Sequence, residues 1–138
     1  MAEVAGIVTG NGDRLLGVPL GKRIDVSGPL KVCAAAASPL KQLASPEYDG
    51  AIVVFATPHI GGTADDLKQA RAAAVVVREP AAADPARGAK SLDDLLADAG
   101  LAGIAGVDTR ELTQLVGGAQ QGQQELEAQI KQFADQEA

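Results

Sequence analysis

The chain has 138 residues, 46% of them hydrophobic, yet Tyr48, Phe55 and Phe133 are its only aromatic residues. Twelve basic against eighteen acidic residues leave a net charge of −6, and the cations are scattered rather than clustered as a phosphate-binding surface requires, which excludes nucleic-acid binding. No apolar run reaches the ~20 residues of a membrane span, no basic-then-apolar leader opens the chain, and a single cysteine cannot close an internal disulfide; the expectation is one cytoplasmic domain with a core of Ala, Val and Leu.

Ala5 to Thr9 is apolar and β-branched. Gly10-Asn11-Gly12-Asp13 follows and accepts positive φ, so a tight hairpin is expected, with Arg14 to Leu20 returning as far as Pro19 allows. A third extended segment is expected over Pro29 to Ala35. Ser38-Pro39 reads as an N-cap with proline at the first helical position, opening a helix over 38–45 that Ser45-Pro46 closes. Ala51 to Ala56 is a continuous apolar run, the pattern of a strand buried on both faces. After the loop Thr57 to Gly62, Thr63 with Asp66 three residues on starts a helix over 63–71. Ala73 to Val77 repeats the buried-strand pattern, and residues 79–90 form the longest irregular connection. Ser91 caps a helix over 91–99 that Gly100 stops.

Gly103 to Val107 then reads as a buried strand running straight into Asp108-Thr109-Arg110-Glu111. Asp108 and Glu111 stand at capping-box spacing, which predicts a helix over 108–116, ended by Gly117-Gly118. From Gln123 to Gln136 a helix is expected, with Leu126, Ile130 and Phe133 as a narrow stripe at i, i+4 and i+7. Residues 1–118 therefore read as one α/β domain, and residues 119–138 as a linker and C-terminal helix.

Candidate chemistry is sparse. Cys33 sits in an apolar, strand-like run without a base at useful spacing, where a thiol acts as a small hydrophobe. His59 is the only histidine; with no Cys or His partner it builds no zinc site, and a packing role is favoured. Asp65-Asp66 and Asp93-Asp94 each fall in the first turn of an expected helix, where carboxylates complement the helix dipole. Asp108 is read as a cap. Gly10-Asn11-Gly12 lacks the third glycine and the helix of a dinucleotide fingerprint. No cofactor and no metal is expected.

GIAGVDTRELTQLV closely resembles a run near the end of the N-terminal domain of the carbamoyl phosphate synthetase small subunit. Other segments resemble that family in the same order: Gly12 to Gly17 its early hairpin, Ser45-Pro46-Glu47-Tyr48 its D-P-S-Y corner, AIVVFATPHIGG its strand and P-x-I-G-N loop, and AAVVVRE a following strand. Together they cover roughly residues 7–116. The resemblance implies a swivelling β/β/α domain that contacts the large synthetase subunit and braces a glutaminase half. That half's G-x-C-x-G-x-Q elbow and His-Pro-Glu do not occur here, so no glutaminase activity is expected. Glu47 stands where the family has a serine, a poor exchange at an amino-acid substrate.

As the resemblance implies, Pro46, Glu47 and Tyr48 in the corner and Pro58, His59 and Ile60 in the loop lie toward the glutaminase half and form an exposed surface without it. Arg110 is assigned a surface or interface role. Leu126, Ile130 and Phe133 are expected to pack onto this domain or a second copy. The leading expectation is a non-catalytic docking or scaffold module, binding a synthetase or amidotransferase subunit or itself. An accessory subunit of a split amidotransferase and a designed fold without biological role stay open beside it.

Overall fold

A computed structural model of the chain describes residues 4–10, 12–22, 24–33, 39–55, 59–60, 64–80, 91–121 and 126–133. Seven strands close into a barrel: β1 (Val4–Thr9), β2 (Arg14–Gly21), β8 (Ala102–Ala105), β6 (Ala74–Val77), β4 (Ile52–Phe55), β3 (Val26–Cys33) and β9 (Glu127–Phe133), which returns to β1. Two-residue strands β5 (His59–Ile60) and β7 (Glu79–Pro80) pair separately. The helices are α1 (Leu92–Ala99) and α2 (Thr109–Gln121). The class is α/β, as expected.

The barrel has two kinds of wall. β3, β4, β6 and β8 pair in parallel, whereas β1, β2 and β9 join each other and both ends of that run antiparallel. Along the strands, alternate side chains face opposite sides of the wall. Ile52, Val54, Ala74, Val76, Ala102 and Ile104 point inward and meet Ala5, Ile7, Leu30, Ala128 and Ile130 in one buried cluster. The alanines keep this interior narrow. Leu112 and Val116 of α2 join the same cluster, which a helix can reach only through an open end of the barrel, so α2 covers that end.

The outward residues of the parallel wall, Val53, Phe55, Val75 and Val77, pack in a second cluster with Leu40, Leu43, Leu67 and the α1 residues Leu92, Leu95 and Leu96. β4, β6 and β8 are thus buried on both faces. The runs at 51–56, 73–77 and 103–107 are found as β4, β6 and β8, within two residues of their expected bounds.

Several caps are as read. The Ser91 hydroxyl accepts from the Asp94 N–H at 3.2 Å, and Gly100 ends α1 at φ 75°. An Asp108 carboxylate oxygen accepts from the N–H groups of Arg110 and Glu111, both at 3.1 Å. In the first hairpin Gly12 takes φ 92°, and its N–H donates to the Thr9 carbonyl. Asp93 does more than complement a dipole: it accepts from the Gly21 N–H at 2.7 Å, tying α1 to the end of β2.

Four expectations need correction. The segment expected as a C-terminal helix is strand β9, with Leu126, Ala128 and Ile130 buried and Glu127, Gln129 and Lys131 exposed between them. β9 lies between β1 and β3, whose facing edges would otherwise be left without backbone partners. The helix read to end at Gly117-Gly118 continues to Gln121, so the boundary drawn at residue 118 falls inside α2. The helices expected over 38–45 and 63–71 are short 3-10 turns, Pro39–Ala44 and Ala64–Leu67. The third strand spans Val26–Cys33 rather than 29–35.

Candidate functional site

The corner Ser45-Pro46-Glu47-Tyr48 forms because proline pre-sets φ at the first position of a one-turn 3-10 helix, Pro46–Tyr48. The Tyr48 N–H donates to the Ser45 carbonyl at 3.0 Å, and the Ala51 N–H donates to the Tyr48 carbonyl at 2.9 Å. Gly50, at φ 70°, turns the chain into β4. Side-chain bonds to backbone carbonyls help to fasten the corner to β3. Lys31 Nζ donates to the Glu47 carbonyl at 2.9 Å, and the Tyr48 hydroxyl to the Val32 carbonyl at 3.5 Å.

Pro46 and Glu47 are exposed, as expected. Tyr48 is not: it is 8% exposed and belongs to the outer core cluster beside Cys33. Its ring fills space against the parallel wall, a demand that polarity alone does not signal. Burial pushes the Cys33 thiol pKa up, a hydrogen bond with Tyr48 pulls it down, and the Glu47 charge raises it again. The Tyr48 hydroxyl is itself pushed up to about 12, by burial first and then by Cys33 and Glu47. Both groups stay protonated near neutral pH, so Cys33 offers no thiolate nucleophile.

The remaining expected residues do not gather around this corner. Pro58 lies outside the described residues. His59 and Ile60 form β5 and pair with Glu79 and Pro80. β4, β6 and β8 run in the same direction, so the segments leaving them depart at one end of the barrel. That end receives the chain toward β5 and the start of α2, whereas the corner precedes β4 at the other end. Arg110 is exposed on the first turn of α2, in an open depression with Thr109, Thr113 and Gln114. Leu126 and Ile130 pack onto their own domain, one of the two outcomes expected, but as barrel interior, 5% and 0% exposed. Phe133 pairs with Val4 at the end of β9.

Among the described residues no group of three His, Cys, Asp or Glu side chains is placed to hold a metal ion, and no helix is long and apolar enough to cross a membrane. One feature escaped the sequence reading. Leu16 and Val18 on β2 are each 56% exposed. The available signal was the doublet Leu15-Leu16: in a strand one of two adjacent leucines must face away from the core.

Comparison with known proteins gives this arrangement a context. Residues 7–125 match the family model described as carbamoyl-phosphate synthase small chain, CPSase domain. A carbamoyl phosphate synthase small chain from Polynucleobacter necessarius is 41% identical over 88 residues, covering 58% of this chain and 22% of that protein. One from Streptomyces coelicolor is 40% identical over 77 residues, 51% of this chain and 20% of that protein. One from Listeria monocytogenes serotype 4b is 33% identical over 113 residues, 77% of this chain and 31% of that protein. The matched part thus spans a fifth to a third of these relatives. Among solved structures, an aminopeptidase from Aneurinibacillus sp. strain AM-1 aligns with 96% of this chain and 31% of its own, at 13% identity and a TM-score of 0.48.

Proposed function

This chain belongs to the carbamoyl-phosphate synthase small chain family, and from that membership we propose that it is a non-catalytic docking domain for a protein partner, the synthetase large chain or an amidotransferase subunit. The observation that carries this reading is the family match over residues 7–125, which takes in five of the seven barrel strands whole, the second half of β1 and both helices. On this reading the barrel is the family's swivelling β/β/α domain, and the work is cytoplasmic, in pyrimidine and arginine biosynthesis. The chemistry of the corner agrees: the thiol is buried and protonated, and the family's corner serine is replaced by Glu47.

Sedimentation velocity of the purified chain mixed with a carbamoyl phosphate synthase large chain tests the reading. Co-sedimentation is expected, together with no glutamate release when the chain alone is incubated with glutamine. Free sedimentation of the two chains would remove the docking role, and glutamate release abolished by Cys33→Ala would make the chain an enzyme.

A further inference from the structure

We draw no further inference here: the strongest candidate, the outer face of β2 around Leu16 and Val18, each 56% exposed, carries nothing, because the register of β3 with β9 sets exposed Asp25 opposite Lys131 and Glu127 shares that face, so nothing in the structure shows what covers it.

Discussion

The two walls of the barrel use the same backbone geometry and opposite strategies toward water. In the parallel wall, β4, β6 and β8 are buried at every position, because the barrel interior takes one face and α1 with the 3-10 turns takes the other. In the antiparallel wall, β2 alternates exposed and half-buried residues through Val18, and β9 alternates buried and exposed ones. The barrel core there takes one face only. A large apolar residue pointing outward is consequently core throughout β4 and β6, whereas on β2 Leu20 is core beside α1 and Leu16 and Val18 are surface, and only the elements laid over the wall decide which.

Truncating such a residue on the covered side gives the largest effect. Phe55, 1% exposed, faces the outer cluster, and Phe55→Ala is expected to cost about 3–5 kcal/mol in denaturant unfolding. A cost below about 1 kcal/mol would erase the distinction between the walls.

Ile130→Ala tests the alternation of the antiparallel wall. The side chain is fully buried, and a loss of about 2–5 kcal/mol is expected, with Gln129→Ala next to it within about 0.5 kcal/mol. Equal effects at the two positions would contradict the strand.

Alkaline titration reads the fastening of the corner to the parallel wall. Cys33 is raised from 9.0, and Tyr48 from 10.0 to about 12. The unfolded chain therefore loses these protons first, and their contribution to stability is complete below about pH 9 and declines as pH rises toward 12. Tyr48→Phe is expected to flatten that decline between pH 10 and 12; an unchanged slope would mean that Tyr48 is not held protonated by the fold.

The smallest effect sharpens the comparison most. Leu16→Ala, also outward but uncovered, is expected to change stability by no more than about 0.5 kcal/mol. A larger loss would show that something in the chain covers β2.

Local signals were legible where one element's own chemistry suffices. Ser91, Gly100 and Asp108 satisfy helix-end N–H and C=O groups by short-range bonds that need no tertiary partner. The apolar runs of β4, β6 and β8 announce burial on both faces without saying what buries them. The exposure of Leu16 and Val18 was legible only in part: the doublet Leu15-Leu16 says that one leucine faces away from the core, and only the packing of Leu15 against the barrel interior shows which. The corner misled in the opposite sense: Pro46 and Glu47 lie outside as their chemistry suggests, but Tyr48 turns inward against β3.

Leu126, Ile130 and Phe133 show where local reading ends. Their spacing suits a helical stripe, while Leu126, Ala128 and Ile130 suit a strand equally well, and the small Ala128 hides the alternation. The sequence by itself determined the caps, the hairpin turn and which runs must leave water, since these depend on a residue and its near neighbours. The tertiary structure decided that the last segment is a strand and that the sheet closes, because the facing edges of β1 and β3 need backbone hydrogen bonds that only an extended chain lying between them can supply.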